Sequence, residues 1–133
     1  MAAGALAKKD HAHRILVVED NGGARDSLVM LLQVEGFEAA GAENGREALR
    51  VLREGYDACL ILLDLMMPIM DGWSFRLEQR HDPRLAEIPI VVLTATVDPA
   101  REAQRLGAVA AFQKPLDLTR LLKLVERYCP KAR

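Results

Sequence analysis

Residues 58–72 read Ala-Cys-Leu-Ile-Leu-Leu-Asp-Leu-Met-Met-Pro-Ile-Met-Asp-Gly, an apolar run that stops at Asp64 and passes into a loop ending at Asp71-Gly72. The run is too short for a buried helix, and its lack of polar alternation marks a strand covered on both faces. Apolar runs of the same kind occupy 14–18, 88–93 and, more briefly, 109–112. Each meets polar residues at or near its end: Glu19-Asp20, Thr94 and Lys114. A weaker strand over 37–42 belongs at a sheet edge.

Helical patterns fill the gaps. From Asn21 to about Glu35, Leu28, Leu31, Leu32 and Val34 form an apolar stripe that Gly36 ends. Asn44 is placed to cap a second helix carrying Ala48, Leu49 and Leu52, stopped by Gly55. The third runs over 72–80. Asp98-Pro99 opens a fourth over 99–106, because proline suits the first helical position. The fifth, over 118–128, repeats Leu118, Leu121, Leu122, Val125 and Tyr128. Strand and helix thus alternate as (βα)5, the pattern of an α/β fold with a doubly wound parallel five-stranded sheet. One domain is expected over 14–129, with a loose tail at 1–13 and a short one at 130–133.

Of the 133 residues, 50% are hydrophobic and 28% charged, a globular balance, and the formal charge of -1 gives no basic excess for direct nucleic-acid binding. No apolar run approaches the roughly 18–20 residues that span a bilayer, and 1–13 lack the apolar core of a secretory signal. A cytoplasmic protein without membrane contact is expected. Cys59 and Cys129 stand far apart without CxxC spacing, and the expectation is two reduced, packed thiols.

In open parallel sheets, ligands collect beyond the carboxyl ends of the strands. Glu19, Asp20, Asp64, Thr94 and Lys114 all fall there. Converging carboxylates repel each other unless a cation neutralises them, and carboxylate, carbonyl and water ligands suit Mg2+ (or Mn2+). A metal, a lysine and a hydroxyl beside a carboxylate can hold a phosphoryl group while that carboxylate attacks phosphorus.

At these residues the chain resembles the receiver domains of two-component response regulators, over about 14–128. Residues 64–72 match D-x-x-M-P-x-M-D-G at every specified position, and Glu19-Asp20, Thr94-Ala95 and Lys114-Pro115 supply three further signals. The resemblance implies a flavodoxin-like fold with strand order 2-1-3-4-5. It implies that Asp64 is phosphorylated, that Asp20 ligates the metal directly, that Glu19 acts through water, and that Met66 gives its backbone carbonyl. Thr94 would hydrogen-bond the phosphoryl group, Ala95 would offer its backbone N–H, and Lys114 would pair with the phosphoryl charge. A cis bond at Lys114-Pro115 is implied as well.

The same resemblance makes the chain a signalling switch rather than a metabolic enzyme, with a histidine kinase or histidine phosphotransfer protein as donor. It makes the face carrying Arg101, Arg105, Arg120 and Lys123 the contact surface for an effector or a second copy. The alternative is a phosphate-independent interaction module. Met66 stands where an aspartate-based phosphohydrolase carries its second acid, and no phosphate-cradling loop for a flavin follows the first strand. Asp71 reads as an N-cap, Trp73, Met67 and Met70 as packing, and His81 as solvated, while His11 and His13 are spaced for a weak metal clip that lacks further ligands. Ala111 departs from the family, many of whose members carry Tyr or Phe there. Phe112 faces the other side of its strand and cannot substitute.

Overall fold

The computed structural model describes residues 14–130. Most of the two expected tails, with His11 and His13, lies outside the described residues. Five strands, β1 (Arg14–Val18), β2 (Glu38–Ala42), β3 (Leu60–Asp64), β4 (Ile90–Thr94) and β5 (Ala110–Gln113), form one sheet in the order β2-β1-β3-β4-β5. All four pairings are parallel. The helices are α1 (Gly22–Val34), α2 (Gly45–Arg53), α3 (Gly72–His81), α4 (Pro99–Leu106) and α5 (Leu118–Tyr128).

Alternate strand residues feed two cores. Leu16, Val18, Ile61, Leu63, Ile90 and Val92 face the side covered by Leu49 and Leu52 of α2, Phe75 of α3 and Leu106 of α4. Ile15, Val17, Leu60, Leu62, Val91 and Leu93 face the side covered by Leu28 and Leu32 of α1 and Leu121 and Val125 of α5. This two-sided covering is why β1, β3 and β4 carry almost no polar side chains until their carboxyl ends. Edge strands β2 and β5 are only partly buried, which explains their weaker apolar signal.

Each helix begins at an Asx cap whose side-chain oxygen accepts a backbone N–H: Asn21 from Ala24, Asn44 from Glu47, Asp71 from Ser74, Asp98 from Arg101 and Asp117 from Arg120. Asp71 is therefore the expected cap. Strands β3 and β4 start and end slightly later than the sequence reading has them, so Asp64 and Thr94 are the last strand residues rather than the first beyond. Pro89 has no N–H to give the ladder, which delays β4 to Ile90. Phe37 precedes β2 and is buried, its N–H closing α1 through Leu32 O at 3.0 Å.

Two features escape the sequence pattern. Arg76, nearly buried, donates to Leu106 O (2.9 Å), Gly107 O (3.0 Å) and Gln79 Oε1 (2.8 Å), so its charge sits on the carbonyl end of α4. Gln79, fully buried, donates to Leu85 O and Ile88 O and pins the loop before β4. The second feature corrects an expectation: Cys59 and Cys129 are joined as a disulfide, with Cα atoms 5.8 Å apart. Seventy residues separate them in sequence. They meet because α5 packs back across the sheet and ends beside the start of β3.

Gly72 is required by close approach. A Cβ there would lie 2.8 Å from Leu65 Cδ2 and 2.9 Å from Asp64 O. We expect Gly72→Ala to destabilise the fold by about 1–3 kcal/mol in urea titrations, because the backbone carbonyl cannot move away cheaply.

Candidate functional site

Asp64 ends the central strand, which pairs with β1 in the register Val18↔Leu63. That register brings the two residues after Val18 beside Asp64. Oxygens of Glu19, Asp20 and Asp64 all lie within 4.8 Å of one another. Glu19 and Asp64 are buried, whereas Asp20 faces solvent. Glu19 is fixed from several directions: its N–H donates to Ala42 O (3.0 Å), its carbonyl accepts from Arg25 Nη1 (3.0 Å), and Oε2 accepts from Asn21 N–H (3.2 Å). Arg25, with no motif to mark it, is a support the sequence reading missed.

Lys114 follows β5, two strands away. Its N–H donates to Thr94 O (2.8 Å), and its Nζ reaches back to Glu19 Oε1 at 2.8 Å and Asp64 Oδ2 at 3.5 Å. The Lys114-Pro115 bond is cis, as expected. Thr94 is buried and its Oγ1 accepts from Thr96 N–H at 3.2 Å. Asp64 Oδ1 accepts from Met66 N–H at 3.3 Å. The Met66 thioether is exposed, so the side chain takes no part in the cluster. Ala95 is exposed at the rim.

Burial, and next the neighbouring Glu19 carboxylate, push the Asp64 carboxyl up to about 6. Burial also works against ionised Glu19, but hydrogen bonds from Lys114 and Asn21 and its contact with Asp64 hold it below the usual carboxylate range. Lys114 is desolvated too, yet Glu19 and Asp64 keep it protonated above its ordinary value. Glu19 and Asp64 share the Lys114 ammonium, and all three carboxyl groups offer oxygen. A partly open, oxygen-only, net negative cluster suits a hard divalent cation.

The model of the "Response regulator receiver domain" matches residues 15–126. The chain belongs to this receiver-domain family. It is 33% identical over 120 residues to sporulation initiation phosphotransferase F of Bacillus subtilis, covering 88% of this chain and 94% of that protein. It is 37% identical over 118 residues to the regulatory protein AtoC of Escherichia coli, covering 86% of this chain but 25% of AtoC. Among solved structures, the response regulator protein TrrA of Thermotoga maritima in complex with Mg(2+)-BeF superimposes with a TM-score of 0.75, at 32% identity over 86% of this chain and 97% of that one.

Within the receiver fold, Ala111 lies on the α2–α4 side of the sheet and Phe112 on the other, as strand alternation requires. Trp73 of α3 packs on the same side as Ala111, and the Arg105 guanidinium of α4 sits over its ring at 5.1 Å. The four expected contact cations are thus not equivalent. Arg105 is turned toward α3. Arg120 and Lys123 line a shallow groove of about 240 Å³ with Phe112, Leu124 and Arg127, the last missed by the sequence reading. His81 is exposed, with Nδ1 2.8 Å from Leu77 O, and Met67 and Met70 pack against the α2–α4 core as expected.

The raised Asp64 carboxyl fixes the sign of a pH effect. A group that binds its proton more tightly when folded contributes stability below its unfolded value, and that stability is lost as pH rises through the folded value. Depressed Glu19 acts oppositely, but only below its ordinary 4.5. Metal-free protein is therefore expected to lose stability as pH rises from 4.5 to about 6. Asp64→Asn should flatten this slope and add on the order of 1–2 kcal/mol near neutrality. Added Mg2+ should stabilise wild type more near neutrality than in mild acid. Thermal melts across pH, with and without Mg2+, check each point.

Proposed function

We propose that this receiver domain accepts a phosphoryl group on Asp64 from a phosphohistidine donor, and thereby switches a partner protein. The convergence of Asp64, Glu19, Asp20 and Lys114 at one sheet edge, with Thr94 at the adjoining strand end, supports this reading. The proposed reactive unit is residues 14–129, in the cytoplasm. The donor is a histidine kinase or histidine phosphotransfer protein.

The Asp64 carboxylate attacks phosphorus, the P–N bond to the donor imidazole breaks, and an acyl phosphate forms. Asp20, Asp64, the Met66 carbonyl and, through water, Glu19 would hold Mg2+ (or Mn2+), which when bound offsets charge on the phosphoryl oxygens. Lys114 exchanges part of its pairing with Glu19 for the new phosphoryl oxygens, a shift that its flexible stem permits. Thr94 already accepts a hydrogen bond from Thr96, so its own O–H remains to donate to a phosphoryl oxygen. The backbone N–H of Ala95 adds a second donor. No general base is needed, because the nucleophile is already ionised at neutral pH.

An apolar cleft of about 310 Å³ opens beside Glu19 and Lys114, lined by Ala24, Leu28, Leu31, Leu93 and Leu118. It offers a donor protein apolar surface next to the acceptor carboxylate. Relay of the phosphorylated state to an effector, or to a second copy, is assigned to the face carrying Arg101, Arg105, Arg120 and Lys123.

Incubation with acetyl phosphate and Mg2+ should add one labile phosphoryl group to wild type and none to Asp64→Asn, read by intact mass. Lys114→Ala should slow the gain by about 10²-fold, as expected for removing a charge-stabilising donor. No gain in wild type would leave a phosphate-independent interaction module as the reading. A second expectation concerns readout. With alanine at 111, beryllofluoride should shift amide resonances across 94–105, and an unchanged spectrum there would refute a switch through Thr94 and the Asp98 loop.

A further inference from the structure

The cysteine pair lies at the end of β3 opposite Asp64. Cys59 immediately precedes the strand and donates its N–H to Arg14 O at 2.8 Å, while Cys129 caps the carboxyl end of α5. Their Cα separation of 5.8 Å is within the range of a disulfide. The two sulfurs differ in access: Cys129 is fully buried and Cys59 only partly. Helix α5 is otherwise anchored by Leu121 and Val125, both fully buried. Those apolar anchors do not involve the cysteines, so the disulfide adds a covalent tether to the last turn of a helix already packed on the sheet.

We propose that Cys59 and Cys129 form a reversible thiol–disulfide site that sets the order of the α5 carboxyl-terminal turn, independently of chemistry at Asp64. The oxidant class is a small-molecule disulfide. The Cys59 thiolate attacks one of its sulfurs, breaking that S–S bond and releasing one small thiolate. Buried Cys129, as thiolate, then attacks Cys59 Sγ, forms the protein S–S bond and displaces the second small thiolate. The two cysteine protons pass to the departing thiolates, so two protein thiols are oxidised and one small disulfide is reduced. A small dithiol reverses the sequence by attacking Cys59, the accessible sulfur, with Cys129 as leaving group.

The turn that this site controls adjoins Arg127, which with Arg120, Lys123 and Phe112 forms the groove on the outer side of α5. Oxidation therefore holds the end of that basic row in place, and reduction releases it. Asp64 lies at the far end of the same strand, outside the pair's contacts. The proposal does not rest on phosphorylation of the chain.

The test equilibrates the full chain in buffers of reduced and oxidised dithiothreitol, then traps thiols with iodoacetamide and reads intact mass. The expected result is a reversible change between two adducts in the reducing buffer and none in the oxidising one, in monomeric protein on a non-reducing gel. Hydrogen exchange of peptides covering 126–129 should be about 10-fold faster in the reduced state, with 90–94 unchanged. Cys59→Ser, at the partly exposed position, should exchange like reduced wild type in both buffers. Equal exchange at 126–129 in the two wild-type states, a disulfide between chains, or thiols that stay alkylatable in the oxidising buffer would each overturn the proposal.

Discussion

Glu19, Asp20 and Asp64 bring carboxylate oxygens within 4.8 Å of one another, and the carboxyl edge of the sheet is organised around their mutual repulsion. At an effective dielectric near 20, two unit charges at that spacing repel by about 3–4 kcal/mol. Lys114 offsets part of this from 2.8 Å at Glu19 and 3.5 Å at Asp64. Burial, and next the Glu19 carboxylate, still leave the Asp64 carboxyl raised despite that ammonium. Three carboxyl groups beside one ammonium leave the cluster with an excess of acidic oxygen, which suits a hard divalent cation.

Holding such a cluster takes a rigid support. Ile15 to Val18 of β1 and Leu60 to Leu63 of β3 are buried without exception. Because these strands are neighbours and parallel, their carboxyl ends cannot separate without breaking the ladder between them. Glu19 is held further through its own backbone, by Ala42 O and the Arg25 guanidinium. The repulsion is thus carried by apolar burial along two strands together with the local contacts of Lys114, Ala42 and Arg25.

The same logic explains what the sequence made readable. Two-sided burial forces continuous apolar runs, so β1, β3 and β4 announce themselves, and the first polar residues at their carboxyl ends mark the candidate site. Asx caps read well because their hydrogen bond spans only three residues. Contacts between distant segments carry no such local signature. Arg76 on the carbonyls of Leu106 and Gly107, Arg25 on Glu19, and Cys59 with Cys129 each depend on where one helix lies against another element. The cysteine expectation failed for this reason: spacing of seventy residues says nothing until the return path of α5 is known. The positions of Glu19, Asp20 and Asp64 were readable because each sits at the end of a strand whose burial is itself readable, whereas Lys114 follows the shorter, half-buried run of β5.

Ala111 removes a large ring from the position where a conformational change would be expected to register, and the neighbouring structure limits the remaining routes. Lys114 N–H is bonded to Thr94 O, so any backbone displacement at Lys114 is passed to the end of β4. From Thr94 the chain runs only to Asp98 before α4 begins. At its other end α4 is tied to α3 twice, by Arg76 at Leu106 and Gly107 and by Arg105 over Trp73. The backbone from Thr94 to Asp98 is thus the short covalent link between the Lys114 edge of the sheet and α4, whose far end α3 holds through Arg76 and Trp73.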